Sequence, residues 1–331
     1  MVRNRKRSRS RKKSYRNRKI LTKRLESLFH VPDAKLLNYE KGIRYGGLYR
    51  KALSKKDQRS LRSCLKSMKT PRVKQPIYVS CTSEPKRLLY LPFVLSTINF
   101  DIITEVHVNL PRLYKNSTPY SNTVVTMLKG LHPKIKVYRP AKDIGPATKV
   151  IFTIDRLKKK YKQKRQKPIC ISIDDDIAYH SSLFAVLASH VEKKEGVWAS
   201  WGFDMNTYDE LEDIAWPSLK KSSVDVVEGF SGIAYPVKKI DTRIIKKYAR
   251  KSLHCKLSDD LTISFALNQT NIPTRLIPER TDRYLSYDGW VEPLAYGEEA
   301  GLHVQKPPAG FSTYNTYKYH ECWYNHLQKI I

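Results

Sequence analysis

The pattern of apolar and polar positions changes period near residue 76. Before it, Ser54 and Asp57 resemble a capping box, and Leu61, Cys64, Leu65 and Met68 fall on one helical face until Pro71 and Pro76 break the pattern. After it, short apolar runs alternate with amphipathic stretches. Ile77–Thr82 reads as a strand. Glu84–Asn99 reads as a helix, with Leu88, Leu91, Leu95 and Ile98 on one face and Pro92 as a kink. Ile102–Leu110 and Ile135–Tyr138 read as strands around a short helix, Asn122–Lys129. Pro146–Lys160 is helical with its proline in the first turn, Ile169–Ile173 a strand, Ser181–Glu192 a helix and Val197–Trp201 a strand. This alternation predicts an α/β fold, with a mainly parallel central sheet and helices on both faces.

The second half is less regular. Val224–Val227 and Arg275–Ile277 read as short strands, and Gly229–Pro236 as a glycine-containing loop. Ser258–Leu267 reads as a helix capped by Ser258. Residues 286–320, rich in Tyr, Trp, Gly and Pro, are expected to form ordered loops over a site.

Composition narrows the picture. A chain of 331 residues, 40% hydrophobic, can bury a core. No apolar run is long enough to span a bilayer, and no apolar region follows the charged N-terminus as a secretory signal requires. Five scattered cysteines without a CxxC pair argue for a reducing compartment and against a structural zinc site. These features together predict a soluble, intracellular protein. The net charge is +31, and residues 1–24 carry 13 Lys/Arg and no acid, leaving +18 for the rest. That tail is expected to be disordered and available to a polyanion. A second run, Arg156–Lys167, holds eight positive charges and reads as a solvated helix end.

Candidate chemistry centres on Asp174-Asp175-Asp176, which ends the apolar run Pro168–Ile173. Clustered carboxylates at a strand end are costly unless a cation neutralises them. A divalent metal bridging to a phosphorylated substrate does so; the alternative is acidic capping of a following helix. In an open α/β sheet, ligands bind outside the carboxyl ends of the strands, where this triplet lies. Asp143-Ile-Gly-Pro-Ala-Thr-Lys149 places an acid, a glycine turn and a lysine at a helix start, a phosphate-binding arrangement. Asp259-Asp260 opens a later helix, where one carboxylate could meet a reacting hydroxyl or serve as a cap.

These segments, with Ser80–Leu88 and Val108–Pro111, resemble the nucleotide-sugar glycosyltransferases of the GT-A fold, in particular a family-2-like group of bacteria and large DNA viruses. The resemblance covers about residues 76–270, and Asp143–Lys149 is its most specific element. It says nothing of residues 1–75, where composition and pattern predict a basic tail over 1–30 and a helical extension over 31–75, and it implies a catalytic domain over 76–331. A nucleotide-sugar half of that domain ends near residue 176. The implied reaction moves a sugar from a nucleotide-diphosphate sugar, UDP by default, to an acceptor hydroxyl with inversion. The acceptor class is a glycan, glycoprotein or glycolipid. Mn²⁺ or Mg²⁺ is implied on Asp176, with Asp174 on the metal or the ribose and a histidine, His303 in preference to His320 or His326, completing the set. Thr82, Arg87, Asp143, Lys149, Asp174 and Asp175 are implied to bind the nucleotide sugar. Gly232, Asp288 and Trp290, with Tyr287, are implied for the acceptor, and Asp260 or Asp259 for the base. Charge alone favours a different reading, a nucleic-acid-binding or metal-dependent nucleic-acid-processing protein. A sugar nucleotidyltransferase would need a Gly-rich pyrophosphate loop after the first strand, which Ser80–Pro85 lacks.

Overall fold

The computed structural model describes residues 70–328, apart from 86, 89–90, 116, 181, 206–222, 279–290, 294–307 and 309–313. The basic tail, the extension up to residue 69, and Tyr287, Asp288, Trp290 and His303 lie outside the described residues. In chain order the elements are β1 (Ile77–Cys81), α1 (Leu91–Thr97), β2 (Glu105–Asn109), α2 (Asn122–Leu131), β3 (Ile135–Tyr138), α3 (Thr148–Lys160) and β4 (Ile169–Ser172). There follow β5 (Ile177–Tyr179), α4 (Leu183–Lys193), β6 (Val197–Ala199), β7 (Gly202–Phe203), β8 (Val226–Val227) and β9 (Ile233–Pro236). The rest are α5 (Thr242–Ala249), α6 (Leu253–Leu257), α7 (Asp259–Asn268), β10 (Thr274–Leu276), β11 (Val291–Pro293) and α8 (Tyr314–Cys322).

Seven strands form one central sheet in the order β10-β6-β9-β4-β1-β2-β3. The α/β class and the mainly parallel sheet expected from the periodicity are observed. β9 alone in this sheet is reversed, antiparallel to both β4 and β6. The centre of the sheet is apolar on both sides, as a sheet covered by helices requires. β1 and β4 are buried at every position.

On one face α3 packs through Val150, Ile151, Ile154 and Leu157, all fully buried, against Tyr78 and Cys170 of the strands and Ile245 of α5. Each such aliphatic side chain contributes about 2 kcal/mol of burial. On the other face α4 packs against β4, β6 and β9. No helix among the described residues is long and apolar enough to cross a membrane.

Four local expectations are corrected. The helix expected from Glu84 begins only at Leu91, so Pro92 stands in its first turn, where its missing N–H has no intrahelical partner to lose. Ile233–Pro236 is a central strand and not part of a loop; only Gly229–Ser231 forms a tight 3₁₀ turn. The loops expected up to residue 320 include a helix from Tyr314. Cys255 and Cys322, 67 residues apart, form a disulfide, where their scattered spacing and odd number argue for a reducing compartment. Cys81 and Cys170 are free and buried.

Candidate functional site

The C-terminal edge of the sheet is built by β1, β4 and the starts of α3 and α7. A polar network fixes α3 on that edge. Ser80 Oγ donates to the Lys149 carbonyl at 2.6 Å and lies 2.7 Å from Thr153 Oγ1, while Asn109 Nδ2 donates to Ser80 Oγ at 3.0 Å. All of these groups are buried, so each bond avoids a desolvation cost of about 1–3 kcal/mol. The turn feeding α3 needs its glycine. Gly145 has φ +67°, and a Cβ there would stand 2.4 Å from the Lys256 carbonyl. Asp143 closes the same turn by accepting from the N–H of Gly145 at 2.8 Å and of Lys115 at 2.7 Å.

Lys149 is thereby aimed along the sheet edge and is 4% exposed. Its Nζ lies 2.6 Å from Asp174 Oδ1 and 3.2 Å from Asp259 Oδ2. Burial alone would favour the neutral amine, but Asp174, Asp259 and Asp260 together hold its pKa well above the ordinary lysine value. Burial likewise opposes ionisation of Asp174, and Lys149 outweighs it, keeping that carboxyl below its usual range.

The other two aspartates of the triplet turn to Arg87. Its guanidinium pairs with Asp175 Oδ1 at 2.7 Å and with Asp176. Asp175 also accepts from Ser83 Oγ at 2.5 Å. The Asp174 backbone N–H is capped by Tyr179 Oη at 2.9 Å, which in turn donates to the Phe230 carbonyl at 3.0 Å. Asp175 is an enclosed supporting group, 5% exposed, whereas the side chains of Asp174 and Asp176 are 30% and 17% exposed.

The second acidic pair opens α7. Ser258 occupies the N-cap position, but its hydroxyl makes no cap bond. Asp259 points to Lys149 and is buried. Asp260 accepts from the Gly229 N–H at 2.8 Å and from Tyr319 Oη at 3.2 Å. Burial, then the neighbouring Asp259, pushes its carboxyl well above the ordinary range. Gly229 is the glycine that the site requires: a Cβ there would meet Asp260 Oδ1 at 2.9 Å and Lys149 Nζ at 3.2 Å. Gly232, the sequence candidate, faces Leu183 and Leu187 instead.

Two participants come from α8. Lys318 is 4% exposed, donates to the Leu257 carbonyl at 3.0 Å, and is pulled below the ordinary lysine pKa by burial despite Asp259, Asp260 and Asp174 nearby. Tyr319 is the partner of Asp260. The disulfide joins Cys255 of α6 to Cys322 of α8 and so ties this helix to the segment that leads into Asp259. None of this was readable from a stretch expected to be loop. Thr82, also a sequence candidate, donates to the Asn109 carbonyl at 2.7 Å and joins the ends of β1 and β2.

Five carboxyl groups thus meet three cations, Arg87, Lys149 and Lys318. The deficit shows at Asp176, whose carboxyl is pushed up to about 7 by burial, with Asp175 and Asp174 adding to it against Arg87. Asp174 and Asp176, each partly open and offering oxygen donors only, fit a hard divalent cation. The donor set is incomplete: among the described residues no three His, Cys, Asp or Glu side chains converge as a metal-binding group. His320, a lesser candidate, packs its ring 4.5 Å from that of Tyr324.

No family model and no curated protein matches this sequence. Solved structures do. The chain is similar to the mannosyltransferase PcManGT from Pyrobaculum calidifontis in complex with GDP-Man and Mn²⁺, at 11% identity and a TM-score of 0.38, over 73% of this chain and 66% of that one. It is also similar to GalNAc-T7 with UDP, GalNAc and Mn²⁺, at 9% identity and a TM-score of 0.38, over 69% of this chain and 52% of that one. The match spans less than two thirds of either protein's length.

Proposed function

We propose that this chain is a metal-dependent glycosyltransferase of the GT-A type. It would move a sugar from a nucleotide-diphosphate sugar, UDP-linked by default, to an acceptor hydroxyl with inversion. The observation that carries this reading is the convergence of two acidic groups, Asp174–Asp176 and Asp259–Asp260, on the buried ammonium of Lys149. The Asp143–Lys149 stretch supports the family-2-like group.

Asp174 and Asp176 would hold Mn²⁺ or Mg²⁺, with His303 as a further ligand. The cation there supplies neutralisation of the charge that develops on the departing diphosphate. The residues of the chain do the rest. Lys149 and Arg87 place fixed positive charge beside the leaving group. Asp175, held by Ser83 and Arg87, keeps the triplet in register. Asp143 fixes the turn through which the nucleotide is approached. Asp260, as the carboxylate, takes the proton of the acceptor hydroxyl. The acceptor oxygen forms a bond to the anomeric carbon as the bond from that carbon to the diphosphate oxygen breaks, and the electron pair leaves with the nucleoside diphosphate. Asp259 is occupied by Lys149, which favours Asp260 as the base. Asp288 and Trp290 complete the acceptor side.

The test is a donor screen with UDP-, GDP- and dTDP-sugars, with Mn²⁺ and with EDTA, on wild type and Asp176→Ala. The expected result is metal-dependent turnover of one donor that Asp176→Ala loses. Failure to bind any donor under either condition overturns the reading.

A further inference from the structure

The edge of the sheet opposite the carboxylates carries a different chemistry. The run Arg156–Lys167 ends α3 and leads into the start of β4, roughly 20 Å along the strand from Asp174. β9 runs the other way and ends beside that start, Pro236 pairing with Ile169, so Lys238 and Lys239 emerge at the same edge. The two segments are stitched together. Lys238 Nζ donates to the Lys164 carbonyl at 2.6 Å, the Val237 N–H donates to the Pro168 carbonyl at 3.2 Å, and Lys246 of α5 pairs with Asp155 of α3 at 2.6 Å.

The charge gathered here is large. Residues 156–167 hold eight cations and no acid, and residues 238–251 hold seven cations and Asp241, a net fourteen of the eighteen found outside the first 24 residues. Four acids neutralise part of it: Asp241 pairs with Arg243 at 2.8 Å, Glu195 with Lys239 at 3.0 Å, Asp155 with Lys246 at 2.6 Å and Glu105 with Lys160 at 3.6 Å. Lys162, Lys164, Arg165 and Lys167 are exposed. Arg243, Lys247 and Arg250, also exposed, follow at helical spacing along α5. This stripe ends at Leu253, an apolar side chain 62% exposed. Beside it opens a cavity of about 570 Å³ that reaches the turn feeding α3, lined by Lys142, Asp143, Arg250, Leu253 and Lys256, with Asp143 paired to Lys256 at 3.7 Å.

We propose that this face, formed by residues 156–167 and 238–253, docks the protein on an anionic membrane surface. Eleven of its fifteen cations are lysines, flexible point charges that suit a diffuse anionic surface. Its rings, Tyr161 and Tyr248, are buried and offer no stacking platform for bases. A polybasic surface ending in an exposed leucine matches the interface between headgroups and acyl chains. The proposal does not depend on the reaction at the carboxylate edge.

The experiment is flotation of the full-length protein with phosphatidylserine/phosphatidylcholine vesicles and with phosphatidylcholine alone, at low and high salt. A short DNA duplex serves as the competing polyanion. Wild type is compared with the quadruple variant Lys162→Gln/Lys164→Gln/Arg165→Gln/Lys167→Gln and with Leu253→Gln, each checked for an unchanged melting temperature. At about 1 kcal/mol per cation near the surface, the quadruple variant is expected to lose about 10²- to 10³-fold in affinity for the anionic vesicles at low salt. High salt is expected to weaken wild-type binding. Leu253→Gln is expected to bind vesicles several-fold less tightly with duplex binding unchanged. Vesicle binding unchanged in the quadruple variant overturns the proposal and assigns the affinity to the N-terminal tail. Duplex binding tighter than vesicle binding, lost in the quadruple variant while Leu253→Gln is silent, also overturns it and makes the face a nucleic-acid surface.

Discussion

The ammonium of Lys149 lies 2.6 Å from Asp174, and that contact ties the start of α3 to the end of β4 at the edge where the aspartate triplet lies. The same ammonium reaches Asp259 at 3.2 Å, so one lysine holds two acidic groups contributed by segments 85 residues apart in sequence. Its removal leaves the buried Asp259 and the partly open Asp174 without their nearest counter-charge. Breaking a buried pair of this kind costs about 3–5 kcal/mol. Lys149→Met is therefore expected to lower the denaturation midpoint markedly and to abolish donor binding. Lys149→Arg is expected to recover stability more than turnover, because the wider guanidinium cannot occupy the same position beside Gly229. Equilibrium denaturation and donor titration of the two variants check this. Wild-type stability in Lys149→Met would remove the lysine from its bridging role.

Asp260 is held between the Gly229 N–H and the Tyr319 hydroxyl. A base must act as the carboxylate, and burial raises the pKa of Asp260, so transfer is expected to increase with pH through that raised value. The Tyr319 hydroxyl donates to the carboxyl and favours its ionised form. Tyr319→Phe should therefore move the acidic limb of the rate profile to higher pH while donor affinity stays constant, a separation that a purely structural tyrosine would not produce. Asp260→Asn keeps the side-chain shape and one acceptor oxygen for the Gly229 N–H, with Nδ2 turned as a donor toward the Tyr319 oxygen, and is expected to lower transfer about 10²- to 10⁴-fold. Full transfer in Asp260→Asn would end the assignment.

Glu228, next to Gly229, supplies a stability signal of its own. Burial pushes its carboxyl up from 4.5 to about 7. The folded chain then keeps a proton that the unfolded chain releases. The stabilising contribution is complete below about pH 4.5 and is lost as the pH rises to about 7. The span corresponds to at most about 3 kcal/mol, reduced because the residue is only partly enclosed. Glu228→Gln is expected to flatten the fall in melting temperature between pH 4.5 and 7. An unchanged pH slope would show that the carboxyl is solvated.

What the sequence discloses follows from how local each signal is. β3 matches its apolar run residue for residue, and α3 and α4 fall within two residues of their periodic patterns, because burial of one face leaves a fixed period in the chain. The triplet at the end of β4 and the acids opening α7 are equally local, as three or two adjacent aspartates beside an apolar run. β9 is different. Its glycines at 229 and 232 mark a turn, and nothing in Ile-Ala-Tyr-Pro distinguishes a central strand from the end of a loop. Gly229 and not Gly232 faces the carboxylates, since that choice depends on the 3₁₀ turn placing the two on opposite sides. Lys318 and Tyr319 carry no local mark at all. They reach the site because α8 is fastened to α6, and neither spacing nor composition announces that attachment.

The fastening is the Cys255–Cys322 disulfide, whose partners are 67 residues apart. Closing a loop of that length removes about 4 kcal/mol of unfolded-state entropy in the chain-entropy estimate. Five cysteines, two of them joined, leave at most three thiols in the denatured, unreduced chain, so thiol titration in denaturant before and after reduction should differ by two. The double variant Cys255→Ser/Cys322→Ser is expected to lose several kcal/mol of stability. It also frees the helix that carries Lys318 and Tyr319, so the pH limb set by Asp260 should move in the same direction as in Tyr319→Phe. Both effects have one cause in the structure. A double variant that loses stability with its pH profile intact would show that α8 stays on the site through its own packing, with Tyr319 and Leu327 buried against the core. Identical thiol counts before and after reduction would show that the cysteines are not joined.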